Sequence, residues 1–207
     1  MPAAIPYPQD TQGRPMPLLA QINFEEMPHL EGFPRTGILQ FYMAATDWEM
    51  SEDYKVLFFQ PQANEILHTD FSFLTEELYE EYPVTVPHRL RFSLQDDFGN
   101  SEDHNLPVNF NGLSFFEFAD TLSDEEKKQL NDFFDGAGNK LGGYAYFTQS
   151  DPRDCEADRI DDVQLLQIDS NNKHIMWGDN GLGHLFIHPD DLKAGRLEKA
   201  WFYWDCY

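Results

Sequence analysis

The chain has 207 residues, of which 41% are hydrophobic and 15% aromatic, including 18 Phe, so it carries enough apolar material for a core and is not a disordered chain. Acidic residues outnumber basic ones 37 to 14, a net charge of −23. That balance repels nucleic acid and anionic membrane surfaces, which both need neutralising Lys and Arg, and remains compatible with a basic protein partner, with Ca²⁺ or with a merely solvated surface.

No apolar run is long enough to span a bilayer, and no basic n-region with an apolar h-region opens the chain, so no signal peptide is read here. Without an export signal, and without CxxC spacing, Cys155 and Cys206 are expected to be reduced rather than paired.

In chain order, the first seventeen residues hold five prolines and read as an extended lead-in. Leu18 to Asn23, Ile38 to Met43 and Tyr54 to Gln60 are strand candidates, the last two rich in aromatic and branched residues. Between the first two lies a loop bounded by Pro28 and Pro34. The pattern from Thr75 to Tyr82 predicts a short helix stopping at Pro83, and Val84 to Leu94 reads as extended, interrupted by Pro87. Gln95 to Asn111 is acidic and turn-rich, a mobile loop by composition. Ser123, with Glu126 three residues on, has capping-box spacing and starts a helix that carries Leu130, Phe133 and Phe134 and ends at Gly136-Ala137-Gly138. Leu141 to Phe147, Val163 to Asp169, His174 to Trp177 and Gly183 to His188 then predict a meander, with a tight turn at Asn180-Gly181. A helical turn follows at Pro189 to Leu192, and Ala200 to Tyr207 ends the chain as an aromatic strand.

The most informative pattern is an echo. Leu19-Ala20-Gln21-Ile22-Asn23 recurs 146 positions later as Leu165-Leu166-Gln167-Ile168-Asp169, and Gly37-Ile38-Leu39 is echoed by Gly183-His184-Leu185 at the same offset. Lys55 to Phe59 is echoed by Lys199 to Tyr203 with the register slipped by two. The expectation is a duplicated β unit. At the fixed offset Gly142 and Gly143 fall before Met1, so a first sheet lacking one strand is predicted, in a chain that begins inside its first unit.

Several constellations have chemical potential. His184 and His188 are four apart, but on a strand that is roughly 13 Å, too far for chelation by the pair; surface or hydrogen-bonded core histidines are the plainer reading. Asp151 and Arg153, beside Gln149, have the groups to hold a polar ligand, Arg as a two-donor fork and Asp as acceptor; a capped turn with an internally paired Arg is the alternative. Asp154, Glu156, Asp158, Asp161 and Asp162 form a carboxylate cluster without the Asp-x-Asp-x-Asp-Gly pattern of a calcium loop, and read as a solvated loop. Gln21 with Asn23, and Gln167 with Asp169, each share one side of a strand: two polar pairs lining a cleft, or amides satisfying backbone at strand ends. No nucleophile elbow, Walker loop or Gly-x-Gly-x-x-Gly occurs.

Pro15 to Asn23, Gly37 to Tyr42, Lys140 to Gly143, Phe147 to Arg153, Leu165 to Asp169, Met176 to Asp179 and the closing Cys206-Tyr207 together resemble the YwqG-like family of bacterial proteins, a domain of unknown function. The chain departs from that pattern in having no helix or Gly-Gly segment before its first strand. The resemblance implies a duplicated α+β fold and a cytoplasmic bacterial setting, and brings no catalytic residues.

The sequence thus predicts one domain over 1–207, α+β, with mainly antiparallel sheets from two related β units near 1–60 and 139–207, a few short helices, and an inserted middle at 61–138. Its expected function is a non-enzymatic acidic module for a basic protein partner, binding neither nucleic acid nor membrane, with no cofactor, no metal and no catalytic residue assigned. The alternative is a small-ligand or hydrolytic site between the β units, built from Gln149, Asp151, Arg153, Gln21, Asn23, Gln167 and Asp169.

Overall fold

The computed structural model describes residues 1–207 except Ser51, Pro107, Glu156 and Asn172. In chain order the elements are β1 (Leu18–Asn23), β2 (Ile38–Met43), β3 (Tyr54–Phe59), α1 (Phe115–Ala119), α2 (Asp124–Phe133), β4 (Lys140–Leu141), β5 (Val163–Asp169), β6 (Leu182–Ile187), α3 (Pro189–Lys193) and β7 (Trp201–Asp205), with four short 3₁₀ turns. The fold is α+β with two antiparallel sheets, ordered β1-β2-β3 and β4-β5-β6-β7.

The chain forms two compact units. One comprises residues 1–94, 173–175 and 189–200; the other comprises 95–172, 176–188 and 201–207. In the first unit β2 is the central strand, and Leu39 to Met43 are all buried, as a branched and aromatic run covered on both faces requires. In the second unit β6 is one of the two inner strands and is buried along its whole length.

The registers of the two sheets match in detail. β1 carries an irregularity between Leu18 and Ala20, and β5 carries one between Gln164 and Leu166, at positions 146 apart. Gln21 pairs with Gln40, whereas Gln167 pairs with His184, so the second strands correspond at an offset of 144 rather than 146. The cause is the β5–β6 connection, residues 170–181, which is two residues shorter than the β1–β2 connection, residues 24–37. The third strands return to 146, because Gln40 pairs with Leu57 and His184 with Tyr203. Two echoes are thereby corrected. Gly183 is not the register counterpart of Gly37, and Lys55 to Phe59 corresponds to Trp201 to Asp205 rather than to Lys199 to Tyr203. The first sheet has three strands and the second four, so β4 has no counterpart, as the fixed offset anticipates.

Some elements differ from expectation. The helix expected from Thr75 is a 3₁₀ turn, Glu76–Tyr79, too short and too close to Pro83 to propagate. Val84 to Leu94 holds no strand, only a bridge from Val84 to Ile175; Pro87 has no N–H to give a ladder. The Gly-Gly strand is cut to Lys140–Leu141, since Gly142 and Gly143 adopt φ of 65° and 71°, outside any strand. α1 has no expected counterpart, although Ser114 and Glu117 close a capping box there like that of Ser123 and Glu126 on α2. Among the described residues no helix is long and apolar enough to cross a membrane.

Candidate functional site

Within Gln95 to Asn111, the segment expected to be mobile, Asp97, Asn100 and Asp103 are hydrogen-bonded to residues beyond it. Asp97 accepts from Gly99 N, Tyr144 N and the Lys140 ammonium. Asn100 donates to the carbonyls of Phe134 and Asp135, and Asp103 accepts from Ala145 N and Asn105 N. Short Asx-type hydrogen bonds order a stretch that composition alone reads as loose.

This pinning brings Asp103 and His104 to the 3₁₀ turn Pro152–Cys155. Arg153 is 1% exposed and Asp151 3%. The Arg153 Nε and Nη2 donate to the two oxygens of Asp151 at 2.9 and 2.6 Å, Nη2 also to Asp103 at 2.8 Å, and Nη1 to the Asp162 carbonyl at 2.8 Å. The guanidinium carbon lies 4.7 Å from the Phe186 ring centre, a cation–π contact within the core. Asp151 further accepts from His104 N and faces its Nδ1 at 2.8 Å, while His104 Nε2 meets the Ile160 carbonyl at 2.6 Å.

Burial alone would raise the Asp151 carboxyl, but the hydrogen bonds and charge of Arg153 hold it below the ordinary carboxylate range. Burial would likewise lower the Arg153 pKa, and Asp151 and Asp103 raise it instead. Asp103, His104 and Asp151 lie close enough to suggest a metal triad, yet the oxygens of Asp103 and Asp151 already accept from Arg153 and backbone N–H groups, and the His104 ring faces Asp151 and the Ile160 carbonyl. The guanidinium is the cation of this site.

The other predicted residues are engaged inside their own units. In the first, the Gln40 amide donates to Gln21 Oε1 at 2.6 Å and the Tyr42 hydroxyl to Gln40 Oε1 at 3.0 Å; burial pushes Tyr42 up to about 12. Asn23 accepts from Glu25 N and caps a 3₁₀ turn. In the second, Gln167 donates to the carbonyls of Gly136 and Gly138 and accepts from Tyr146 N. Asp169 accepts from Gly138 N; burial raises its carboxyl, and nearby Asp135 adds to that. Gln149 is exposed, donates to the Cys206 carbonyl at 2.7 Å, and gives its own N–H to Asp205. Asp151 and Arg153 are thus brought together, and Gln149 stands apart from them.

His184 is a further buried ionisable group, on β6. It stacks on Phe186 and Tyr203 and meets Gln164 at 3.4 Å, and its Nε2 finds no partner among the described residues. Burial, helped by the Arg153 charge, lowers its pKa to about 3, so it is a neutral core histidine. His188 is exposed. In the carboxylate cluster, Asp162 is buried and accepts from Trp201 Nε1, Asp154 faces His104 at 3.3 Å, and Glu156 lies outside the described residues. Cys155 and Cys206 are both free.

The second unit also holds an open cleft of about 520 Å³. Its walls come from α1, α2 and the segments around Asn100 and Tyr146, with Phe115, Phe116, Phe134 and Tyr146 as aromatic surface and Asp120, Lys127, Asn131 and Asp135 as polar groups. Sequence reasoning missed Asp103, His104 and this cleft. Asp103 and His104 sit some fifty residues from their partners, a separation no spacing rule reads; the Ser114–Glu117 box was the available signal for α1.

No match to the chain was found among curated proteins. A family model described as a domain of unknown function, DUF1963, matches residues 1–206, and the chain belongs to that family.

Proposed function

We propose that the protein is a non-enzymatic interaction module whose acidic surface meets a basic protein partner. One observation carries this reading: the cluster with the most catalytic composition, Asp103, Asp151 and Arg153, is buried and its charges are paired with one another, while the excess of carboxylate lies at the surface. Among the described residues only Asp10, Asp103, Asp151, Asp162 and Asp205 are buried acids, against 37 acidic residues in the chain. A hydrolytic site at Gln149, Asp151 and Arg153 would need Asp151 to offer a lone pair to substrate or water, and each of its oxygens already accepts at least two hydrogen bonds. The same reading takes the two β units as a duplication, on the strength of their equivalent bulges and registers, and keeps the YwqG-like, cytoplasmic bacterial setting.

Association through exposed charge is screened by salt. In capture from native lysate at low and high ionic strength, the expected result is retention of basic proteins at low salt and their release at high salt. Retention of neutral or acidic proteins irrespective of salt, or of none at either salt, would contradict it.

A further inference from the structure

Resting on the acidic-module reading, we propose that the cleft of the second unit is the anchor point of the partner, taking an arginine side chain from a basic segment. The cleft combines two features a guanidinium requires. Its aromatic lining, Phe115, Phe116, Phe134 and Tyr146, suits a flat, weakly hydrated cation, and Phe116 is 55% exposed, as a docking residue must be. Its carboxylates supply the counter-charge. Asp135 is exposed and has no ion pair among the described residues, whereas Asp120 is already shared with Lys127 at 3.1 Å.

The electrostatics converge on Asp135. Burial and the hydrogen bond with Tyr207 raise the Tyr146 phenol, and the negative charges of Asp135 and Asp169 raise it further. Asp135 also pushes the Asp169 carboxyl upward. A cation brought beside Asp135 would offset the unfavourable effect of its charge on Asp169 and Tyr146. Lys127 and Lys128, the two lysines of α2, are tied to Asp120 and Asp132, so neither supplies that cation to Asp135. The volume, about 520 Å³, suits one long side chain together with part of its flanking chain.

The test is a titration of the full chain with an oligoarginine peptide, followed by the backbone amide spectrum. Saturable shifts are expected at Ser101, Phe116, Asn131, Asp135 and Tyr146. Phe116→Ala and Asp135→Asn should each weaken the peptide by about two- to fivefold, the size of an exposed cation–π contact or ion pair. Glu31→Gln, an exposed acid of the first unit, should leave the affinity unchanged. Circular dichroism confirms that each variant folds. Salt-sensitive binding with shifts spread over the surface, and Asp135→Asn no different from Glu31→Gln, would overturn the cleft assignment while leaving the acidic module standing. An absence of shifts at low salt would overturn the cleft as well, and the lysate capture then decides the module separately.

Discussion

Arg153 carries a larger share of the second unit than any surface charge. It pairs with two buried carboxylates at once, so removing it takes from Asp103 and Asp151 their shared buried guanidinium. Arg153→Met is expected to destabilise the protein by about 3–5 kcal/mol in urea denaturation, the range for breaking a buried pair from one side. Arg153→Lys should recover only part of that, because an ammonium cannot reproduce the planar fork. Stability of Arg153→Met equal to the parent would contradict a structural role. His184 gives a second prediction at this scale. Its pKa falls from the ordinary 6.5 to about 3, so between those values the unfolded chain binds a proton that the folded one refuses. Stability from this group is therefore complete above 6.5 and is lost as pH falls, by up to about 1.4 kcal/mol per pH unit. Gln40 occupies the register-equivalent place in the first sheet, so His184→Gln should fold and show a shallower loss of stability in acid. Denaturation at neutral and acidic pH checks it; an unchanged slope would mean that His184 is not the proton acceptor.

At the level of elements, the two helices that wall the cleft depend on their caps. Ser114 and Ser123 each accept the N3 amide, while Glu117 and Glu126 reach back to the cap N–H. Ser123→Ala is expected to cost about 1 kcal/mol, read as a shift in the denaturation midpoint. β6 is constrained differently. A Cβ at Gly183 would stand 2.4 Å from the Trp177 ring, and Trp177 is fully buried, so Gly183→Ala should cost about 1–3 kcal/mol or more by overpacking. A neutral effect in calorimetry would show that the indole can move away. The strands β1, β2, β3 and β5 to β7 were legible from the sequence because branched and aromatic runs bounded by turn residues leave little choice. Among the extended readings, His174 to Trp177 fails as a strand of the meander, forming only the Ile175 bridge to Val84, and two other failures share a cause. The Gly-Gly segment and Val84 to Leu94 looked extended, but Gly142 and Gly143 at positive φ and Pro87 without an N–H remove the ladder that would make them strands.

For the whole molecule, the echo at 146 residues correctly anticipated two β units and a first sheet one strand short, but could not give the register. Register belongs to the connections, and a two-residue difference between 24–37 and 170–181 moved Gln40, rather than Ile38, opposite His184 in the comparison. The candidate site was half legible. Asp151 and Arg153 were singled out from their local pattern, yet the sequence left open whether they held a ligand or each other, because that depends on Asp103 arriving from a distant turn. What remains for function is the field of a molecule with net charge −23. The most direct measurement is the affinity for a partner captured from lysate as a function of ionic strength. The account predicts a basic partner whose association weakens steadily as salt rises; an affinity indifferent to salt would contradict it.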